Sequence, residues 1–442
     1  MKLNYGREGL SVRLPENAQT TILRKPAMPV IKDPRAGIEA AIGDPIDAPK
    51  LSEIAQDCRS VCIAICDITR PVPNHLFLRP LIEACEAAGI ERSNICIVIA
   101  TGLHRPNEGE ELAELIGNAW VLENIAIHNH FALNDDEHIS LGKTNTRGTA
   151  IRLDRRFVEA DLRIATGLVE PHFMAGYSGG RKVVAPGLAH AETITTFHSA
   201  RFMADPASRN CNIDGNPLHE EQLEIIRALD SWDNNSSSRY PKTLGLNTVL
   251  DDERRLAFVT FGDIFESHFK AVDFSRSYCE LEVESRFDIV LTTAAGYPLD
   301  KTYYQTVKGM VGAMEILAPG GDLVIASQCE EGLGSADYED AQKRLIAMGP
   351  NAFLDSLLKK SHADIDEWQT QMQLKPQAVG NIHLFSEGLS AAGHELTGVH
   401  RISNLELELQ QLVDKQPDTR LAVIPEGPYV VPRMLAPQIQ SS

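Results

Sequence analysis

Short apolar runs alternate with amphipathic stretches along almost the whole chain, and that alternation limits the fold more than any other feature. SVCIAIC (60–66) is followed by a helical pattern from about Asn74 to Ala88. NICIVIA (94–100) precedes one from about Asn107 to Ile116, ADLRIAT (160–166) one from about Ala189 to His198, and FDIVLTT (287–293) one from about Lys301 to Leu317. GDLVIAS (321–327) and RLAVIPE (420–426) read as further buried strands, and 351–380 reads as helical. Runs that are apolar at every position belong to strands covered on both faces. The expected fold class is therefore α/β, with two α/β domains and mainly parallel sheets. A chain of 442 residues has room for two or three domains. The turn-rich stretch DSWDNNSSSRYPKT (230–243) reads as a loop or linker, and the boundary is drawn shortly after it, dividing 1–272 from 273–442. The tail after Pro432 is expected to be loose.

Composition narrows the function. The formal net charge is -19, which repels phosphate backbones and argues against nucleic acid. The longest apolar runs span about six residues, far short of the ~20 of a membrane helix. MKLNYGREGLSVRLP has no signal-peptide core, so a cytoplasmic protein is expected. The 8 cysteines do not form a disulfide pattern. Cys58, Cys62 and Cys66 tempt a metal reading, but Cys62 and Cys66 lie in a strand-like run and read better as small core residues.

In open α/β sheets, ligands bind beyond the carboxyl ends of the strands. DITRPVP delivers Asp67, Thr69 and Arg70 there, and TGLHRP delivers His104 and Arg105. GLVEPHFMAGYSGGRK delivers Glu170, His172, Arg181 and Lys182, and the helical stretch after it ends near His198. AAGYPLDKTYYQTVKG brings Tyr304, Gln305 and Lys308, with Asp300 as a plausible helix N-cap. In an acidic protein these ends make a focused positive pocket, suited to a small carboxylate or phosphate. Taken singly, each residue also has a plain reading. Asp67 and Arg70 could be a surface pair, His104 and His172 satisfied polar residues, and Gly179-Gly180 an ordinary turn. His190 and His198 could lie on a solvated or packed face. His128, His130 and His138, around the acidic run NDDEH, read as a solvated loop, with a labile metal site as the alternative. The pentapeptide IATGL appears twice, at 99–103 and 164–168.

Nicotinamide, P-loop and common zinc signatures are absent. Two separated imidazoles suit acid–base work on both faces of a substrate. A third histidine can ligate a metal, and a lysine can carry a cofactor covalently. A zinc hydrolase or lyase built on His104, His172 and His198, or a non-catalytic anion-binding module, stays open on the residues alone.

DITRPVP, ATGLHRP, EPHFMAGYSGGRK, the later His198 and YQTVKG, in that order between about 60 and 330, resemble the motifs of the nickel-dependent lactate racemase family of 2-hydroxyacid racemases and epimerases. The resemblance implies two α/β domains with the active site in the cleft between them. It implies a nickel-pincer nucleotide, covalently bound at Lys182, with His198 ligating the metal beside that tether. His104 and His172 would be the two acid–base residues. Asp67, Thr69 and Arg70 would contact the cofactor, and Arg70, Tyr304, Gln305 and Lys308 the substrate. The implied reaction is proton-coupled hydride transfer through a 2-oxo acid. The substrate would be a small anionic 2-hydroxy acid: lactate, malate or a sugar acid such as gluconate. Dedicated cofactor-synthesis enzymes would be the maturation partners.

Overall fold

A computed structural model describes residues 1–232, 243–415 and 417–435. Most of the turn-rich stretch 230–243, and the tail from 436, lie outside the described residues. The chain folds into two compact units, one made of Ala27–Phe197 and Asn212–Ser277, the other of Met1–Pro26, His198–Cys211 and Tyr278–Ser442.

The first unit is built on a six-stranded sheet. Its order is Leu256–Asp263, Thr243–Leu250, Leu162–Leu168, Val61–Cys66, Ile95–Ala100, Ala126–Asn129. All neighbours are parallel except the first pair. Ile63, Ile65, Ile97, Ile99 and Ile164 are fully buried with Phe77, Leu78 and Leu81 of the helix Asn74–Ala87. Helices cover the sheet, so its central strands carry no exposed polar face. Cys62 sits in this sheet, in register with Cys96, and none of the cysteines is in a disulfide. The repeated pentapeptide adopts two conformations. The second copy stays extended because Thr166, Gly167 and Leu168 pair with Leu246, Asn247 and Thr248. The first copy leaves its strand at Ala100 and turns at Gly102, with φ +56°.

The second unit holds a wholly parallel six-stranded sheet. Its order is His400–Ile402, Asn381–Phe385, Leu317–Ala326, Phe287–Thr293, Arg420–Val423, Gln19–Ile22. Its last strand comes from the N-terminus, and Leu3, Tyr5 and Val12 are buried against Ile289 and Leu291. The single division at 272/273 therefore does not describe these units. Residues 1–26 supply an edge strand and core side chains to the second unit. Residues 198–211 join it too: Ala200 packs with Leu345, Phe353 and Leu357, and Lys375 Nζ donates to the Ser208 carbonyl at 2.9 Å.

Two local expectations change. The helical span 351–380 is two helices, Pro350–Leu358 and Glu367–Val379. The helix expected from Lys301 begins at Tyr303, and Thr302 caps it by accepting the Gln305 N–H. Asp300 is buried instead, accepting N–H groups from Gly6 (2.6 Å) and Gln328 (3.2 Å). Burial raises its pKa against those two bonds.

Candidate active site

In the first unit, three strand ends place the polar residues. Val61–Cys66 ends at Asp67, whose Oδ2 accepts from His104 Nδ1 at 2.6 Å and whose Oδ1 accepts from the Thr69 hydroxyl at 2.6 Å. Burial would raise the Asp67 pKa. The bond and charge of His104, the Thr69 hydroxyl and the nearby Arg70 outweigh it, and the carboxyl sits below its ordinary value. An ionised Asp67 fixes the His104 ring with its proton on Nδ1, leaving Nε2 as the free basic nitrogen. The His104 side chain is 59% exposed while that of Asp67 is 6% exposed, so the carboxylate works from beneath. Arg70 is exposed. Arg105, a candidate cation, is taken up by a two-pronged bond to Glu111 (2.7 and 2.6 Å).

The strand Leu162–Leu168 feeds the loop with the other pair. His172 lies in a small hairpin, Pro171–His172 against Gly176–Tyr177. Its Nδ1 accepts N–H groups from Met174 (3.3 Å) and Ala175 (3.1 Å), so the neutral ring carries its proton on Nε2. Lys182 Nζ lies 3.2 Å from that Nε2. Gly179 and Gly180 have φ of +77° and +48°. A Cβ would stand 2.7 Å from Val169 at Gly179 and 2.8 Å from the His268 ring at Gly180. The glycines thus let the loop sit down on its own unit. The two loops are stitched together where Gly102 N–H meets the Gly187 carbonyl at 2.9 Å. Cys66 reports their convergence: burial and then the Asp67 charge push its thiol to about 12, while Arg70 and Lys182 pull the other way.

One motif is easily overlooked in the sequence: Gly176–Gly180 spells G-x-S-x-G, the pattern of a nucleophile elbow. Ser178 is no nucleophile here. It is buried, its hydroxyl donates to the Leu168 carbonyl at 2.7 Å, and it accepts the Glu170 N–H at 3.0 Å.

In the second unit, His198 is buried with its ring against Trp368, centroids 4.9 Å apart. Trp368 Nε1 donates to the Tyr304 hydroxyl at 3.3 Å, and Gln369 Nε2 to the Tyr304 carbonyl at 2.5 Å. Gln305 and Lys308 follow on the same helix, Tyr303–Ala313. The Gln305 Oε1 is buried with no hydrogen-bond partner among the described residues. Trp368 is the residue missed in the sequence. Its only signal is a large aromatic in the polar run DEWQTQMQ.

The histidine-rich loop is not solvated. His128 is exposed, but His130 and His138 are 1% and 6% exposed, and His190 stacks edge-on to His138. His138 Nδ1 donates to the Asn134 carbonyl (2.7 Å), so its Nε2 accepts from His130 Nε2–H at 3.0 Å. Among the described residues, no three His, Cys, Asp or Glu side chains are grouped to hold a metal ion.

A family model described as the lactate racemase N-terminal domain matches residues 5–210, and one described as the lactate racemase C-terminal domain matches 283–431. The chain belongs to the lactate racemase family. It is a racemase, hence an isomerase. It is 28% identical to a lactate racemase of Thermoanaerobacterium thermosaccharolyticum over 84% of each chain. It is also 28% identical to a lactate racemase of Lactiplantibacillus plantarum, over 89% of this chain and 90% of the relative. The structure of the lactate racemase apoprotein from Thermoanaerobacterium thermosaccharolyticum superposes with a TM-score of 0.89 at 26% identity, covering 98% of this chain and 99% of that one. A crystal structure from Thermotoga maritima shares the fold alone, with a TM-score of 0.62 at 17% identity and coverage of 91% and 99%. Among the described residues no helix is long and apolar enough to cross a membrane.

Proposed function

We propose that this racemase inverts the carbinol carbon of a small 2-hydroxy acid, with lactate, malate and gluconate-like sugar acids as the substrate class, using a nickel-pincer nucleotide tethered at Lys182. The observation that carries the reading is that two imidazoles are oriented by two different devices. An ionised carboxylate sets His104, and two backbone N–H groups set His172. Each device engages Nδ1 and turns Nε2 to the site, unprotonated in His104 and protonated in neutral His172, so the pair offers a base and a proton-bearing nitrogen.

The residues present fit the cofactor. An amine stands at the head of a positive, glycine-bearing loop; buried His198 is backed by an aromatic ring; and Gln305 Oε1 is a buried acceptor still seeking a donor. Lys182 and His198 would hold it, with Thr69 and Arg70 as further contacts. Asp67 contributes indirectly, since both its oxygens are engaged within the protein. When bound, the group supplies a reversible hydride acceptor, which avoids forming a carbanion beside an ionised carboxylate. The chain does the rest. Arg70 and Lys308 pair with the substrate carboxylate. Tyr304 and Gln305 flank it. His104 Nε2 takes the hydroxyl proton for one enantiomer, and His172 turns its Nε2–H toward the oxygen of the other.

Intact mass of protein produced together with the cofactor-synthesis enzymes tests the tether. A nucleotide-sized adduct with nickel is expected, lost in Lys182→Ala. Active, unmodified protein would refute the reading. A chiral assay over a panel of 2-hydroxy acids then ranks the substrates.

A further inference from the structure

We propose that Arg181 is the positioning residue of the catalytic loop, locking the hairpin that bears His172 to the turn that bears Lys182. The inference rests on the roles given to those two residues above. The Arg181 side chain is almost wholly buried. Its Nη2 donates to the carbonyls of Ala175 (3.1 Å) and Tyr177 (2.9 Å), and its Nη1 reaches the Gly179 carbonyl (3.4 Å) and lies 2.8 Å from His268 Nε2. Each of those carbonyls belongs to a residue tied to the site. Ala175 gives its N–H to His172 Nδ1. Tyr177 pairs with Pro171 in the hairpin. Gly179 also accepts the Lys182 backbone N–H at 3.1 Å. One rigid fork therefore sets both partners of the His172–Lys182 contact.

The cost of this arrangement points the same way. Among the described residues no carboxylate pairs with Arg181, and its Nε has no hydrogen-bond partner. Burial pushes its pKa down to about 9. A buried cation without a counter-ion is a poor stabiliser, and an apolar residue of similar size would serve stability better. A carboxylate counter-ion at this place would compete for the Lys182 amine. Neutral carbonyls and an imidazole hold the fork without offering such a rival.

Arg181→Lys keeps the charge and loses the fork. In the matured enzyme it should still acquire the Lys182 adduct and keep KM within about threefold, while kcat falls ~10²-fold, as expected for a misplaced catalytic group. In the cofactor-free protein the amides of 175–182 should exchange at least ~10-fold faster, with protection in the two sheets unchanged. Added methylguanidinium should restore part of kcat to Arg181→Ala. His268→Gln, a milder change, should give the same signs at smaller size and covers the case in which Arg181 variants do not fold. Wild-type kcat per adduct-bearing molecule and wild-type exchange in both Arg181→Lys and His268→Gln would overturn the proposal. Missing adduct in the wild type would instead refute the tether, and the exchange measurement would still decide the role of Arg181.

Discussion

Asp67 sets what His104 can do. With its carboxylate on Nδ1, the ring presents a basic Nε2; with an amide there, the ring can turn or carry its proton on the wrong nitrogen. Asp67→Asn should therefore lower kcat by about 10²–10⁴-fold with little change in KM. The loss in kcat/KM should be the same from the D and the L substrate, because each direction uses His104 once, as base or as acid, and a substitution cannot move the equilibrium between enantiomers; His172, held by backbone N–H groups, is not touched. Initial rates from both substrates check this, and an unchanged kcat/KM would mean that Asp67 does not set the His104 ring. The same scale shows why the glycine pair misleads. Gly179-Gly180 before Arg181-Lys182 reads as a cradle for a phosphate. The close atoms are Val169 and His268, so the positive φ values fold the loop onto its own unit and bring the Arg181 fork under it. A side chain nearly a hundred positions away in sequence supplies that reason, and no local pattern announces it.

At the scale of elements, the strands were the legible part, and the physics says why. VCIAIC and ICIVIA are covered on both faces and apolar throughout, so the run alone marks the strand, whereas FDIVLTT keeps its apolar run at the centre, Ile289–Leu291. Helix starts were less legible, because capping depends on one residue and its neighbours. Asp300 had the right chemistry for a cap, but Gly6 and Gln328 claimed its carboxylate and left the role to Thr302. The copies of IATGL differ because a neighbouring strand continues beside one and not the other. For the site, histidines and the lysine at strand ends were visible, whereas Trp368 sits in a helix that carries no motif. The helix Tyr303–Ala313 gives a test at this scale. A Cβ on Gly309 would stand 2.3 Å from the Thr293 carbonyl oxygen, so the helix sits on its strand only because Gly309 has no side chain. Gly309→Ala should cost about 1–3 kcal/mol, read as a lower urea midpoint. Because Gln305 and Lys308 ride on this helix, KM should rise more than kcat falls. An unchanged midpoint would mean that the helix shifts freely over the strand.

At the scale of the whole molecule, the chain passes between its two units at 26/27, 197/198, 211/212 and 277/278, and buried histidines are unevenly shared between them. Burial, reinforced by neighbouring cations, holds His130 at about 3 and His219 at about 2, and lowers His138, His190 and His268 as well. All five lie in the unit formed by 27–197 and 212–277, against His394 in the other. The unfolded chain takes up protons on these rings below about pH 6.5, while the folded unit resists until much lower pH. Their contribution is therefore fully present above about pH 6.5 and is lost as pH falls toward the folded values. Carboxylates held low, such as Asp67 and Asp135, add their own loss only below about pH 4. Between about pH 6.5 and 4.5 the decline should thus be a histidine effect confined mainly to one unit. Trp120 and Trp232 lie in that unit and Trp368 in the other, so Trp368→Phe leaves emission from the histidine-rich unit alone. Its urea midpoint should fall steeply over this window. In Trp120→Phe/Trp232→Phe protein, emission from Trp368 should move later, and His130→Gln/His138→Gln should flatten the slope of the first signal. Parallel slopes from both emission signals would show that the two units unfold as one cooperative body and that the uneven placing of the histidines has no consequence for stability.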